Sequence, residues 1–593
     1  MPDSIRLVDA GKGRSPSTAP IAISHLTTEV NKTGSWKYIQ PVFHDRVAPC
    51  NEGCPVGADV EGYMALLANG QIDEALELLA REHPMPSITG RVCNHPCEDR
   101  CNRGKYDGAV AIHAVERMLG DRILAGPLPE PLAQPKAPCI AVVGSGPAGL
   151  SCAYHLVRMG YRVDMIEREA QPGGMLRYGI PEYRLPRDIL DRQIERLEAL
   201  GVDIHCGVRV VDGSWAPLRE RYAAVFFATG ADIPRFLDIP GEGGANVQQG
   251  LAFLRRVNSG ERPHIGERVA VVGGGNTAMD CARTALRLGA HPVVVYRRTR
   301  TQMPAIPDEV ADAEREGVEF VFLAAPRAFK EPGNEPGGVA CEVMKLGDPD
   351  PDGRRRPVGT GETLFVPADT ILLATGEDPE MSRLPDGVAG NGHVGIDEWG
   401  ATNLPLVFSG GDVAGEERTV ARALGAGKRA AIGIDRALRI RRNDALPATS
   451  MRFLRWGEHG TASISRWRGD DPVRRVNPVN EVVPFEDVNT AHFGRVARNE
   501  DRHGKLDPKK KPFAEVNRGL TKDVALMEAG RCFNCGVCTG CEVCLIYCAD
   551  VAIHRLEGDT GPRLEVANDY CKGCGVCAQE CPRGAITMTR EGL

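Results

Sequence analysis

The chain is 593 residues long, 42% hydrophobic and 25% charged, with a net charge of −7. That length is enough for about three to five domains, and the acidic balance gives no footing for nucleic acid; the basic run at 509–511 is short enough to be a solvated loop. No stretch approaches the roughly 18 apolar residues of a membrane span, and the N-terminus has no apolar secretory segment, so a cytoplasmic protein is expected.

Residues 1–44 show little periodicity and are expected as an extended arm that could wrap a partner or a second copy of the chain. Residues 45–130 carry helical signals. In "VEGYMALLANGQIDEALELLARE" the apolar positions recur at helical spacing, so its leucines are expected to be ordinary core. Cys50, Cys54, Cys93, Cys97 and Cys101 fall in this region, ten more cysteines lie between Cys532 and Cys581, and only five are scattered through the middle. Thiols clustered this way in a reduced compartment point to metal rather than disulfides. The proline-rich "AGPLPEPLAQPKAP" ends the helical region.

From Cys139 the pattern changes to an apolar strand, a G-x-G-x-x-G turn (Gly144, Gly146, Gly149, with Pro147 and Ala148 inside it), an amphipathic helix and a second strand ending in Glu167. The glycines allow a tight turn, close approach of backbone to a pyrophosphate, and close helix–strand packing, and the helix N-terminus supports the phosphates. Glu167 is placed to accept ribose hydroxyls, which suits FAD. A second such unit opens at Arg268, with Gly273, Gly275, Asn276, Thr277 and Ala278 in the turn. Its second strand ends in Arg297 and Arg298 where the first has its acid. A guanidinium there can pair with a 2′-phosphate, which favours NADPH and leaves NADH open.

Three apolar strands run into small-residue turns: "FFATGA" (Thr229, Gly230), "ILLATG" (Thr375, Gly376) and "LVFSGGDVAG" (Gly411, Asp412). Thr229 and Gly230 are expected at FAD, and Thr375 and Gly376 at the nicotinamide nucleotide. Asp412 is placed for a ribityl or ribose hydroxyl, and a helix starting near Thr419 and Val420 could turn its amides toward the flavin. The expected class is α/β: two nested Rossmann-like domains, FAD at 136–261 and 369–440, NAD(P)H at 262–368. Cys139, Cys152, Cys206, Cys281 and Cys341 form no Cys-x-x-Cys or Cys-x4-Cys pair, so they are expected as packing residues and disulfide reduction is disfavoured. No hydrolase motif is present.

Residues 441–520 are Arg-, Asp- and Asn-rich without a period and are expected as a linker; 521–593 is expected as a ferredoxin-type domain. Two runs of C-x2-C-x2-C-x3-C spacing occur there: Cys538, Cys541, Cys544, Cys548, and Cys571, Cys574, Cys577, Cys581 followed by proline. In two-cluster ferredoxins the fourth cysteine of each run ligates the other cluster. That predicts Cys538, Cys541, Cys544 and Cys581 for one cluster and Cys571, Cys574, Cys577 and Cys548 for the other. Cys532 and Cys535 are left over.

"GRVC-x3-C-x3-C", "VGSGPAGL", "QPGGMLRYGIPEYRLP", "VVGGGNTAMDCARTA", "VYRRTRTQMPA" and "SGGDVAG" together resemble one family over residues 45 to 435. Its members include the small subunit of NADPH-dependent glutamate synthase, the N-terminal part of dihydropyrimidine dehydrogenase, and the large subunit of NADH-dependent ferredoxin:NADP oxidoreductase. The resemblance implies that Gly174 and Met175 serve FAD. It also implies two [4Fe–4S] clusters in a helical N-terminal domain, one taking a Glu or Gln ligand, at Glu116 here. The family's cysteine pair upstream of Cys50 is missing from this sequence. The reading is that Cys532 and Cys535 replace it, giving Cys50, Cys101, Cys532 and Cys535 as one set and Cys54, Cys93, Cys97 and Glu116 as the other. The alternatives are a single N-terminal cluster with Cys532 and Cys535 idle, and Glu116 as a helix-surface acid.

The expected function is an iron–sulfur flavoprotein moving electrons between NADPH or NADH and a protein acceptor through FAD and four [4Fe–4S] clusters. The C-terminal extension resembles subunits serving 2-oxoacid:ferredoxin oxidoreductases and the flavoprotein that connects NAD(P)H to dissimilatory sulfite reductase. Ferredoxin or such a larger enzyme is the expected partner, and a homodimer is left open. A glutamate synthase small subunit, an electron-bifurcating transhydrogenase subunit and a docking subunit are the alternatives.

Overall fold

The computed structural model describes residues 5–7, 22–24, 32–132, 137–211, 215–333, 336–350, 353–385, 387–388, 390, 392–415, 417–469, 478–504, 512–556 and 563–591. They form two compact units, one of Pro49–Val473 with Val496–Cys532, the other of Met1–Ala48, Arg474–Arg495 and Phe533–Leu593. Among the described residues no helix is long and apolar enough to cross a membrane.

The larger unit is built on two five-stranded parallel sheets. In the first, the strand order is Val407–Ser409, Ala224–Phe227, Cys139–Val143, Arg162–Ile166 and Val202–His205. In the second it is Glu319–Phe322, His291–Tyr296, Arg268–Val272, Thr370–Leu373 and Val247–Gln249. The central strands read as continuous apolar runs because both faces are covered, in the second sheet by helices on one side and by an antiparallel sheet on the other, and Ile140, Ala141, Val142, Val269, Ala270 and Val271 are all buried. A three-stranded antiparallel sheet, Ala324–Lys330, Gly338–Pro349 and Arg355–Pro367, extends the second domain. The short antiparallel pair Ile233–Pro234 and Glu377–Asp378 carries the two crossings between the domains.

This corrects the expected boundaries. Val247–Gln249 and the helix Gly250–Asn258 belong with the nicotinamide-type sheet, as does Thr370–Leu373, although all were expected in the flavin domain. The apolar run at Thr370–Leu373 does not say which of two similar sheets it joins; pairing with Arg268–Val272 decides it, and Val247–Gln249 then adds to Thr370–Leu373.

The helical region comprises Val60–Ala68, Ile72–Glu82, Pro86–Val92, Pro96–Asp99 and Ile112–Ala125. Asp59 caps the first by accepting from the Gly62 amide at 3.2 Å. Pro86–Val92 and Ile112–Ala125 cross closely, and a Cβ at Gly120 would lie 2.2 Å from the Ser87 nitrogen. Lys522–Ala529, expected in the ferredoxin domain, belongs here instead, with Glu528 accepting from the Ala111 amide at 2.8 Å. Residues 441–469, expected as linker, also pack: Met451, Leu454, Ile464 and Trp467 share a core with Trp399 and Ile432.

In the smaller unit, Ile39–Phe43 pairs antiparallel with Ile586–Arg590, so the end of the expected arm is a strand. Ile5–Leu7 pairs with Ala22–Ser24, while the rest of the arm up to residue 31 lies outside the described residues. Two four-residue helices, Val543–Ile546 and Val576–Gln579, each follow a left-handed residue, Glu542 and Gly575. The core between them is largely sulfur: Cys544, Cys577 and Cys581 with Ile553, Ala585 and Ile586. So small an apolar core needs cross-linking by metal to hold a fixed structure.

Candidate functional site

Both glycine-rich turns open onto one cavity of about 800 Å³ in the larger unit. Gly144, Gly146, Pro147 and Ala148 line it at the N-terminus of the helix Pro147–Arg158; Gly275, Asn276 and Thr277 line it at the N-terminus of Asn276–Arg287. Thr419 and Val420 bring a third N-terminus, that of Val420–Arg442, where the Thr419 hydroxyl accepts from the Arg422 amide at 3.2 Å. Three helix N-termini turned on one space make it suited to a bound dinucleotide's phosphates and electron-rich ring edges.

The glycines are needed where backbone meets backbone. A Cβ at Gly149 would lie 1.9 Å from the Gly144 carbonyl, and one at Gly273 would lie 2.3 Å from the Ala374 carbonyl. Gly149 and Gly273 therefore shape the turns without lining the cavity, and Ala278 is buried behind it. Glu167, Gly174, Met175, Thr229, Gly230, Gly376, Gly411 and Asp412 line it. Glu167 is buried and already accepts from the Ser145 amide at 2.9 Å and the Glu169 amide at 2.8 Å, which fixes its carboxylate for a further donor.

Thr375 lies off the cavity lining, its hydroxyl donating to the Arg235 carbonyl at 2.7 Å. The arginine pair divides. Arg298 is buried, donating to the Arg355 carbonyl at 2.9 Å and to Asp350 at 2.8 Å, so its guanidinium braces the antiparallel sheet. Arg297 is exposed, and neither residue lines the cavity. Sequence reasoning missed Arg184 and Asp280, both lining residues, paired through two 2.9 Å bonds. Burial pushes the Asp280 carboxyl up to about 6, against the pull of Arg184. Nothing in the linear pattern marks that pair, because its partners are 96 positions apart.

Val92 and Asn94 also line the cavity, which places the chain on either side of Cys93 at its wall. Cys93, Cys97, Cys54 and Glu116 are mutual neighbours. Glu116 is 7% exposed and accepts from the Thr89 hydroxyl at 2.6 Å, so it is not a helix-surface acid. Burial first, then the surrounding negative groups, pushes the Cys93 and Cys97 thiols up. Such a set holds protons until a metal displaces them. The Ala58 amide donates to Cys54 Sγ at 3.5 Å and the His95 amide to Cys93 Sγ at 3.3 Å, the kind of bond that steadies ligating sulfur.

Cys532 belongs to the same unit as Cys50 and Cys101. Its neighbour Arg531 is tied to the loop after Cys101: the Arg531 carbonyl accepts from Arg103 at 2.6 Å, and its guanidinium donates to the Gly108 carbonyl at 2.8 Å. Cys535 belongs to the other unit. There, Cys538, Cys541, Cys544 and Cys581 line one small cavity of about 20 Å³, and Cys577 has Cys571, Cys574 and Cys548 as neighbours. Backbone amides donate to Cys548, Cys571 and Cys581 sulfurs at 3.3, 3.4 and 3.4 Å. Convergent thiols with amide donors turned on their sulfurs fit [4Fe–4S] groups, as the cavity with its three helix N-termini fits FAD and a nicotinamide nucleotide. Cys152, Cys281 and Cys341 are buried in packing positions away from these sets.

Paired dinucleotide folds on one cavity, with convergent thiol sets elsewhere in the chain, define an iron–sulfur flavoprotein oxidoreductase. Residues 138–428 match the family described as pyridine nucleotide-disulphide oxidoreductase, 44–126 the one described as dihydropyrimidine dehydrogenase domain II, 4Fe-4S cluster, and 564–587 a 4Fe-4S binding domain. The chain belongs to the FAD- and iron–sulfur-dependent NAD(P)H oxidoreductase family that these domains make up. It is 38% identical to the beta subunit of an NADP(+)-dependent formate dehydrogenase from Moorella thermoacetica, over 82% of this chain and 70% of that protein. It is 35% identical to the beta subunit of a Geobacter sulfurreducens NADPH-Fe(3+) oxidoreductase, over 82% and 75%. It is also 38% identical to a putative glutamate synthase [NADPH] small chain of Cereibacter sphaeroides, over 60% and 91%.

Proposed function

We propose that the chain is the NADPH-oxidising subunit of a larger redox assembly, exchanging electrons with a protein acceptor through FAD and four [4Fe–4S] clusters. The observation that carries this reading is the shared cavity: both nucleotide turns open into it, and the residues flanking Cys93 form part of its wall. FAD held there would supply hydride acceptance from a nicotinamide and one-electron delivery to [4Fe–4S] groups. The helix starting at Pro147 would hold the FAD pyrophosphate and Glu167 its ribose, while Asp412 takes a ribityl hydroxyl. The helix starting at Asn276 would hold the NADPH pyrophosphate, with Arg297 free to turn to a 2′-phosphate. Arg184 and Asp280 would keep a fixed polar group at the wall of the space where the two rings meet.

Cys54, Cys93, Cys97 and Glu116 would hold the cluster nearest the flavin. Fifteen clustered thiols and Glu116 make sixteen donors, the number that four cubanes require. In this reading Cys532 is a ligand in the set of Cys50 and Cys101. Cys541 and Cys574 are exposed, which leaves an edge of each C-terminal thiol set accessible to an acceptor. The acceptor is a ferredoxin or a partner subunit of the kind named in the relatives, and the ferredoxin-type unit argues against a glutamate synthase small subunit acting alone. The test is anaerobic iron and sulfide content together with NADPH-driven dye reduction. About sixteen irons are expected, falling to about twelve in Cys532→Ala with dye reduction retained; about twelve in both proteins would sink the four-cluster reading. Glutamine-dependent NADPH oxidation with a glutamate synthase large subunit would restore the alternative.

A further inference from the structure

Tyr63 stands in the middle of the helix Val60–Ala68 and is fully buried, 0% exposed. Its hydroxyl has no hydrogen-bond partner among the described residues. Glu116, Cys97, Cys54 and Cys50 are the groups whose charge reaches it. Other polar groups nearby are satisfied: Asn51 donates to Asp59 at 2.7 Å and accepts from the Glu61 amide at 2.9 Å, and Glu116 accepts from Thr89. The Tyr63 hydroxyl is thus a buried donor with neither an oxygen nor a thiol sulfur in hydrogen-bonding geometry.

A buried hydroxyl without a partner is disfavoured, and native proteins seldom keep one without a reason. Phenylalanine would fill the same volume and strand nothing. The groups around it are ligands assigned above to an iron–sulfur centre, whose sulfurs would offer an acceptor to a hydroxyl that neither Glu116 nor the thiols bond. We propose that Tyr63 donates its Oη–H to a sulfur of the centre held by Cys54, Cys93, Cys97 and Glu116, and that this bond raises the centre's reduction potential.

The inference rests on that ligand assignment. Its physical basis is that hydrogen bonds to cluster sulfur are among the levers that set potential. Reduction adds one electron and makes the sulfurs better acceptors, so a donor at this point favours the reduced form. No proton is transferred and the step balances as one electron in.

The experiment is an anaerobic potentiometric titration of the full-length, iron-loaded protein and of Tyr63→Phe, read by EPR. One centre should fall in electron affinity by about tenfold, which for a one-electron couple is about 59 mV, with the other centres unmoved and the iron content unchanged. Metal-free Tyr63→Phe should be at least as stable to heat as the metal-free parent. An unchanged potential at full iron content would overturn the proposal and leave the ligand assignment standing. If Tyr63→Phe loses iron, 3-fluorotyrosine in place of Tyr63 decides: its stronger donor should raise the same midpoint, and no shift would overturn the proposal. A parent protein whose iron stops at the C-terminal clusters would instead overturn the ligand assignment itself.

Discussion

Removing one charge from the buried pair Lys428–Glu82 should be among the most costly single substitutions in the larger unit. Lys428 is 0% exposed, in the middle of Val420–Arg442, the helix whose N-terminus lines the dinucleotide cavity. Its ammonium donates to Glu82 at 2.7 Å and to the Gly57 carbonyl at 3.0 Å. Glu82 also accepts from the Ser463 hydroxyl at 2.6 Å and from the Ile464 and Ser465 amides at 3.0 Å each. Burial alone would raise the Glu82 carboxyl, but Lys428 and these donors hold it below the ordinary carboxylate value. The pair thus fastens the cluster-bearing region, the flavin helix and the segment around Ser463 to one another. Lys428→Met would leave an ion without its counter-charge in the interior, a loss of about 3–5 kcal/mol. Adding Glu82→Gln removes the stranded charge and keeps an amide oxygen for the donors, so the double variant should recover about 2 kcal/mol of that loss. Urea unfolding followed by flavin release measures both. A single variant losing less than about 1 kcal/mol, or a double variant no better than the single, would refute the reasoning.

Three further outcomes follow from particular contacts. Gly149→Ala should give folded protein that retains iron but little flavin, because the added Cβ meets the Gly144 carbonyl at 1.9 Å and must displace the phosphate turn; the flavin-to-protein ratio checks it. Arg297→Ala should raise KM for NADPH about tenfold with NADH unaffected, whereas Arg298→Ala should lower thermal stability, since it breaks the bond to Asp350. His113 lies between Glu98 and Asp501, 2.8 Å from each; burial opposes its charge, but the two carboxylates win and carry the imidazole up to about 10. A raised folded-state value stabilises fully below the unfolded value near 6.5. The stability gap between the parent and His113→Gln should therefore be largest below that pH and close as pH rises through about 10, read from thermal midpoints across the range.

What the sequence made legible was local chemistry. The two glycine turns, Glu167 and the C-terminal cysteine spacing are short-range patterns whose physics is contained in a few residues, and the structure brings them to one cavity and two thiol sets. Assignments that depend on partners far along the chain were not legible. Arg298 reads like a phosphate ligand until Asp350 takes it, and Thr370–Leu373 reads like any apolar strand until it pairs beside Arg268–Val272. Residues 441–469 look like linker because their buried groups, Trp456 and Trp467 among them, follow no helical or strand period. Tyr63 looks like one more apolar position on a helix; that its hydroxyl is buried without a partner appears only in the fold.

Electrons from NADPH are proposed to cross the shared cavity to the thiol-held centres. The most direct measurement is rapid-freeze EPR of the anaerobic, iron-loaded protein mixed with NADPH, with flavin absorbance followed in parallel. Bleaching of the flavin followed by signals of reduced [4Fe–4S] clusters is the predicted result. A bleached flavin with every cluster still oxidised, or clusters reduced by NADPH in flavin-free protein at the same rate, would contradict it.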